Sequence, residues 1–221
     1  MKETRTHISV ILDRTGSMES IRDDTIGGFN AFLDEQKKQP GEATLTLVQF
    51  DTRDPFEVIH DFRPIGEVPG LTRETYVPRA STPLLDAVGR GINDLEARLG
   101  KLPAKQRPGK VVVVIVTDGQ ENASREFRKD QVEKMIREHE EKDKWQFVFL
   151  SADLGAFHDA GEYGFRMSKR MHFNKSSLGT ARAWASVSTS VEQFRQGKVA
   201  EVEFDQEDRE KQDELSGQGG D

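Results

Sequence analysis

The stretch that decides the fold is Lys110-Val111-Val112-Val113-Val114-Ile115-Val116-Thr117-Asp118-Gly119. Its apolar part is short and β-branched, and it is bounded by a lysine and an Asp-Gly pair. This pattern is typical of a strand buried on both faces of a parallel sheet. The run from His7 to Leu12 has the same character and is followed by Asp13. The sequence therefore predicts two buried parallel strands, each followed by an aspartate.

The remaining apolar segments alternate between strand and helix patterns. Shorter strands are predicted at 147–150 and near 170–173, and an antiparallel hairpin at 44–50 and 56–60. Stripes at helical spacing are predicted for the segments 21–33, 84–99, 132–139 and 178–194. This alternation predicts a Rossmann-like three-layer α/β/α fold, with a mostly parallel central sheet and one antiparallel edge strand.

Charge divides the chain into two parts. Residues 205–221 hold seven acidic and two basic side chains, a balance of −5 out of the net −7 of the whole chain. We therefore expect one domain over residues 1–200 and an acidic, disordered tail over 201–221, since such a polar segment buries little apolar surface. Residues 1–204 carry the remaining −2, and this near-neutral charge gives no support for nucleic-acid binding.

Composition also limits the chemistry and the setting. The chain has no cysteine, which excludes disulfides, thiolate nucleophiles and zinc-thiolate sites. No apolar run approaches the roughly 20 residues that a membrane span needs, and the start of the chain shows no signal-peptide pattern. We expect a cytoplasmic protein that does not associate with membranes.

Oxygen-bearing side chains follow the two strongest strands. Asp13, Thr15 and Ser17 come after the first, and Asp118 comes after the central run. The carboxyl ends of parallel strands meet at one edge of a sheet, where ligands bind. Carboxylates and hydroxyls are hard ligands that suit Mg²⁺, Mn²⁺ or Ca²⁺.

Three motifs carry a resemblance to a known family. Asp13-Arg14-Thr15-Gly16-Ser17 resembles the D-x-S-x-S metal motif of von Willebrand factor A (vWA) domains, and Ala80-Ser81-Thr82-Pro83-Leu84 resembles their G-x-T-P-L segment. Thr117-Asp118-Gly119 resembles the Asp-Gly element after the central strand. The motifs occur in the family's order, and the resemblance spans about residues 6–195. Thr15 stands in place of the usual serine, and Ala80 in place of a frequent glycine.

The resemblance implies a metal-ion-dependent adhesion site (MIDAS). Its metal ligands would be Asp13, Thr15, Ser17, Thr82 and Asp118, and its cation Mg²⁺ or Mn²⁺. The three hydroxyls would bind directly and the carboxylates largely through water. A Glu or Asp carboxylate of a partner protein would complete the shell. The function expected is an intracellular, metal-dependent protein–protein interaction module, not an enzyme, with the long loop 61–81 and the segment 119–128 beside the metal.

Other interpretations remain open at this stage. Asp13-Arg14-Thr15-Gly16-Ser17 also resembles the D-K-T-G-T motif of haloacid dehalogenase-like phosphatases, in which Asp13 would be the nucleophile of a Mg²⁺-dependent phosphoryl transfer. A vWA scaffold that binds no metal is a third. Taken singly, Ser17 and the Thr82-Pro83 pair are interpreted as helix caps. Glu121 and Asn122 are interpreted either as solvated loop residues or as residues that contact the metal ligands and support them.

Overall fold

The structure is a computed structural model that describes residues 2–217. Its six described strands are β1 (Lys2–Asp13), β2 (Ala43–Phe50), β3 (Glu57–Pro64), β4 (Pro108–Thr117), β5 (Gln146–Ser151) and β6 (Arg170–His172). Its six described α-helices are α1 (Arg22–Lys38), α2 (Leu84–Lys101), α3 (Lys129–Lys142), α4 (Leu154–Glu162), α5 (Ser177–Arg195) and α6 (Gln206–Gly217). A 3₁₀ helix, Gly16–Ile21, precedes α1.

The described strands form one sheet in the order β3-β2-β1-β4-β5-β6. All neighbours are parallel except β2 and β3, which form the hairpin at one edge. Val10 of β1 lies opposite Leu47 of β2 and Val114 of β4, so β1 is central. The predicted fold class, with its antiparallel edge strand, is confirmed.

Helices cover both faces of the sheet, and alternate residues of each strand serve different cores. Val112, Val114 and Val116 of β4 pack in the core that contains residues of α1 and α5. Val113 and Ile115 point to the other core, which contains residues of α2 and α3. Burial on both faces explains why β1 and β4 read as continuous apolar runs rather than as alternating ones.

The two central strands end side by side. Leu12 of β1 lies opposite Val116 of β4, so Asp13 and Thr117 are the next residues of the two strands. The residues singled out from the sequence therefore leave the sheet at one edge.

Two helices were not predicted. One is α4, which follows β5 and has Asp153 as its N-cap residue; the Asp153 side chain accepts a hydrogen bond from the Ala156 amide at 2.7 Å. The other is α6, which lies in the segment expected to be disordered, and for residues 201–217 that expectation is wrong. Residues 218–221 of the expected tail lie outside the described residues.

The order of the C-terminal segment has a physical cause that its composition does not show. Val202 and Phe204 are buried in the core on the α1 and α5 side, which fixes the chain just before α6. Gln212 of α6 is also buried. Its side chain accepts from the Asn174 amide at 3.1 Å and donates to the Gly179 carbonyl at 3.0 Å. Polar side chains thus anchor this helix by binding main-chain groups.

None of the described helices combines the length and the apolar character that crossing a bilayer requires.

Candidate metal centre

Asp13 ends β1 and is fully buried. One carboxylate oxygen accepts a hydrogen bond from the Thr15 amide at 2.6 Å, and the other from the Thr117 hydroxyl at 2.6 Å. Burial raises the pKa of Asp13 to about 7; the hydrogen bonds from Thr117 and Thr15 oppose this rise, and the charge of Asp118 adds to it. A carboxylate held in this way has a strong electrostatic demand for a nearby cation.

Three hydroxyl groups converge beside Asp13. Oγ1 of Thr15 lies 3.2 Å from Oγ of Ser17 and 3.4 Å from Oγ1 of Thr82. Oγ of Ser17 in turn donates to Oδ1 of Asp118 at 2.6 Å. Thr15, Thr82 and Asp118 are buried and Ser17 is exposed, so the group is open to solvent on the Ser17 side. The structure thus brings all five predicted residues together.

None of the three hydroxyls is used as a helix cap. Ser17 lies inside the 3₁₀ helix, and Thr15, its N-cap residue, makes no side-chain capping bond. Helix α2 begins at Leu84 with Pro83 as its N-cap, also without a side-chain capping bond. The capping interpretation of Ser17 and of Thr82-Pro83 is therefore wrong.

The start of α2 is capped from another part of the chain. The amide of Leu85 donates to Oε2 of Glu121 at 2.8 Å, and the amide of Asp86 donates to Oγ of Ser124 at 3.0 Å. Asp86 reciprocates, since its carboxylate accepts from the amides of residues 125–127. The segment after β4 and the first turn of α2 thus satisfy each other's backbone donors. The Thr82 hydroxyl is therefore not needed as a helix cap.

Asn122 and Tyr76 fix the loops that carry the hydroxyls. The Asn122 side chain accepts a hydrogen bond from the Thr82 main-chain amide at 3.0 Å. The main-chain amide of Asn122 donates to the Thr82 carbonyl at 3.1 Å. The Tyr76 hydroxyl, fully buried, donates to the Asp13 carbonyl at 2.6 Å. Glu121, Asn122 and Tyr76 were not predicted as site residues. Glu121 and Asn122 form hydrogen bonds with residues on the opposite side of the site, and are not simply solvated loop residues.

Arg14 points away from the hydroxyls and anchors the loop between Asp13 and Ser17 to the β2–β3 hairpin. Its guanidinium contacts Asp51 at 2.7 Å and also pairs with Glu57. Burial opposes ionisation of Asp51, but hydrogen bonds from Arg79, Arg14 and nearby amides hold the pKa of Asp51 below its usual value. The backbone between Asp13 and Ser17 is therefore braced by a buried ion pair.

Comparison with known proteins gives a result for the fold and none for the sequence. No family model matches the chain, and no curated protein matches its sequence. Among solved structures, proximal thread matrix protein 1 from the mussel byssus, with a zinc-occupied MIDAS motif, superimposes with a TM-score of 0.57 at 15% identity. A von Willebrand factor type A structure from Catenulispora acidiphila gives 0.51 at 11%, over 84% of this chain and 42% of that one. The chain has the fold of a vWA domain.

Two further figures define how far the likeness extends. The mussel structure covers 85% of this chain, but the chain spans only 46% of the mussel protein. Manganese-loaded TRAP from Plasmodium vivax gives a TM-score of 0.54 at 12% identity, over 78% of this chain and 70% of that one. The chain therefore corresponds in fold to part of larger proteins, and two of those structures carry a divalent metal.

The donor set at this edge of the sheet suits a hard divalent cation. Within residues 2–217 no group of three or more His, Cys, Asp or Glu side chains converges on a metal-sized space, so a cation here would depend on hydroxyl oxygens. Such oxygens come from Thr15, Ser17 and Thr82, with Asp118 beside them. Gly119 borders the group, since an added Cβ there would be in ordinary van der Waals contact with Oγ of Ser17, at 3.5 Å. A set of hydroxyl and carboxylate oxygens matches Mg²⁺ or Mn²⁺.

The phosphatase interpretation finds no support in this geometry. A nucleophilic carboxylate must present an oxygen to the phosphorus of its substrate. Both oxygens of Asp13 accept hydrogen bonds from the chain itself, and the side chain is fully buried. The Asp13 side chain is placed to fix the loop that follows it through hydrogen bonds, and not to attack a phosphate.

Proposed function

We propose that this vWA domain is a metal-dependent protein-binding module whose Mg²⁺ or Mn²⁺ ion is held by Asp13, Thr15, Ser17, Thr82 and Asp118. The observation that carries the proposal is that three hydroxyls from two separate loops lie next to one another, and that one of them, of Ser17, donates to the Asp118 carboxylate. None of these hydroxyls caps a helix, although two of the motifs read as caps in the sequence.

The charges of the five side chains favour binding over catalysis. Three of the ligands are neutral, so a divalent ion held there keeps part of its charge for an anionic ligand from outside. Ser17 is exposed and marks the side from which that ligand approaches. We propose that it is a Glu or Asp carboxylate of a partner protein. Within residues 2–217, the carboxylates of Asp13 and Asp118 accept hydrogen bonds from the chain itself, which fits a non-enzymatic role.

We also propose a cytoplasmic setting. The absence of cysteine from the sequence fits a reducing compartment. Fluorescence microscopy of the tagged full chain in its source cells, with a fractionation control, tests this point separately from the metal chemistry.

Calorimetric titration of the protein with Mg²⁺ and with Mn²⁺ tests the metal site. We expect one cation per chain for the wild type. Binding should fall by at least tenfold in Ser17→Ala and Asp118→Asn, because each loses an oxygen ligand or its charge; losses of about 10- to 100-fold are usual even for residues that only support ligands. Ser81→Ala is the matched control, since Ser81 is an exposed serine beside Thr82. Equal affinities in all variants would contradict the assignment.

Affinity capture from a lysate of the source cells tests the binding function. We expect partners that are retained by the wild type with Mg²⁺ and released by chelator, and that Ser17→Ala does not retain. Addition of millimolar glutamate or acetate should weaken retention if a carboxylate completes the metal shell. Metal-independent retention of the same partners would instead indicate a vWA scaffold that acts without a cation.

The enzyme alternative has its own assay. Hydrolysis of an aryl phosphate with Mg²⁺, abolished by Asp13→Asn, would replace the binding module with a phosphatase. We expect no hydrolysis above the uncatalysed rate.

A further inference from the structure

Lys175 reaches the candidate metal centre from a loop that the sequence motifs do not include. It lies between β6 and α5. Its Nζ is 2.6 Å from Oδ2 of Asp118 and donates to the Ser17 carbonyl at 3.1 Å. Oδ2 of Asp118 is buried and accepts no hydrogen bond of good geometry, but an ion pair at this distance needs no particular angle. A lysine cation therefore touches two of the five proposed ligand residues.

The loop that carries Lys175 is held on both sides. The Asn174 amide binds Oε1 of Gln212 in α6, and the Ser176 hydroxyl accepts from the Gly179 amide at 3.1 Å. Gly179 packs so closely that a Cβ there would meet the Asn174 carbonyl oxygen at 2.1 Å. The main chain of this loop is thus fixed, and the approach of Lys175 to Asp118 is built into the fold.

The lysine side chain itself remains free to leave. It is 37% exposed, whereas the Asp118 side chain is fully buried. A long side chain of this kind turns into solvent at little cost, while a buried carboxylate without a cation is strongly disfavoured. Asp118 therefore requires a positive neighbour, and Lys175 supplies one that is reversible.

We propose that Lys175 is an internal counter-cation that competes with the divalent metal for Asp118. This inference rests on the proposed function, because it concerns the same site. Lys175 neutralises Asp118 when no metal is bound, and its ammonium group must move away when a divalent cation takes that carboxylate, since two cations beside one carboxylate repel each other. Lys175 thereby lowers the affinity of the site for metal and keeps the metal-free domain stable.

Two measurements on the full chain test the proposal. In Mg²⁺ titrations, Lys175→Met should bind about tenfold more tightly than the wild type, within the range usual for coupled ligands. In chelator, the melting temperature of Lys175→Met should be lower than that of the wild type, because Asp118 loses its counter-cation. Lys175→Arg should restore both values towards the wild type. Lys134→Met removes an exposed lysine on α3 and should change neither.

The outcomes separate this proposal from the proposed function. Mg²⁺ binding with equal affinity in the wild type and Lys175→Met overturns the role of Lys175 and leaves the metal site standing. Failure of both proteins to bind Mg²⁺ or Mn²⁺ refutes the metal site, and the competition with it. Lys175→Gln, with its shorter neutral side chain, replaces Lys175→Met if the latter does not fold.

Discussion

Ala80 has a backbone φ of +61°, in the left-handed region that glycine adopts readily and alanine does not. It precedes Ser81 and Thr82, and its carbonyl accepts from the Gly16 amide at 3.0 Å. The loop therefore keeps a glycine-like conformation although the sequence supplies an alanine. An alanine in this conformation carries local strain.

Ala80→Gly should raise the free energy of unfolding by about 1 kcal/mol. The substitution removes the strain of an alanine in the left-handed conformation, and this gain is reduced by the greater conformational freedom of glycine in the unfolded chain. Urea unfolding in chelator, followed by circular dichroism, measures the effect. Ala97→Gly is the matched control: Ala97 is exposed within α2, where glycine should cost about 1 kcal/mol. A loss of stability in both variants would show that Ala80 is not strained.

At the scale of elements, the first turn of α2 and the segment after β4 act as one unit. Glu121 accepts from the amides of Leu85, Ala123 and Ser124 and from the Ser124 hydroxyl. One carboxylate thus satisfies four donors from two segments, and it lies at the positive end of the helix dipole. The unit connects Asp118 at the end of β4 to Thr82 at the start of α2.

Glu121→Gln should lower the free energy of unfolding by about 1–3 kcal/mol, because an amide NH₂ group cannot accept a hydrogen bond and leaves partly buried donors unpaired. It should also weaken Mg²⁺ binding several-fold, since Thr82 and Asp118 lose their fixed separation. Unfolding and calorimetric titration check the two effects. The control is Glu126→Gln, which makes the same charge change in the same segment at an exposed residue paired with Arg90; we expect a much smaller change there. Equal losses would show that charge, not capping, is responsible.

At the scale of the whole molecule, the protonation of His7 is coupled to global unfolding. It is fully buried on β1, its Nδ1 lies 2.9 Å from the Thr44 hydroxyl, and its ring stacks on Phe62 at 3.8 Å. Arg98 lies over the same Phe62 ring, at 5.5 Å. Burial lowers the pKa of His7 to about 3. The folded protein therefore keeps His7 neutral where the unfolded chain would protonate it.

The sign of the resulting pH dependence follows directly. Between pH 6.5 and about 3 the unfolded chain binds a proton at residue 7 that the folded chain does not, so the free energy of unfolding falls as the pH falls through this window. His7→Gln should flatten that fall in urea titrations at a series of pH values. His158→Gln, at an exposed histidine, should leave it intact. A wild-type pH profile that matches His7→Gln would contradict the buried, neutral state of His7.

The family resemblance implied the place of Thr82 at the site, and the sequence by itself determined the sheet, the hairpin edge and the grouping of Asp13, Thr15, Ser17 and Asp118. These follow from local information: β-branched runs such as Val111–Val116 have no alternative to burial on both faces, and residues directly after parallel strands must emerge at one edge. The positions of Asp13 and Asp118 were predictable because Asp13 is the last residue of β1 and Asp118 directly follows β4. Their role as metal ligands stays a prediction.

Only the tertiary structure decided how the site is supported and what else enters it. Glu121 caps α2 from 36 residues away, and Lys175 reaches the Ser17 carbonyl from 158 residues away. Gln212 orders α6 by binding main-chain groups of Asn174, in the loop before α5, and of Gly179, in the first turn of α5. Polar side chains of this kind carry no periodic pattern, and their partners are set by the packing of distant segments. From sequence alone, a charged, polar segment is therefore predicted to be solvated or disordered. Only the fold shows which donors and acceptors lie at hydrogen-bond distance from it.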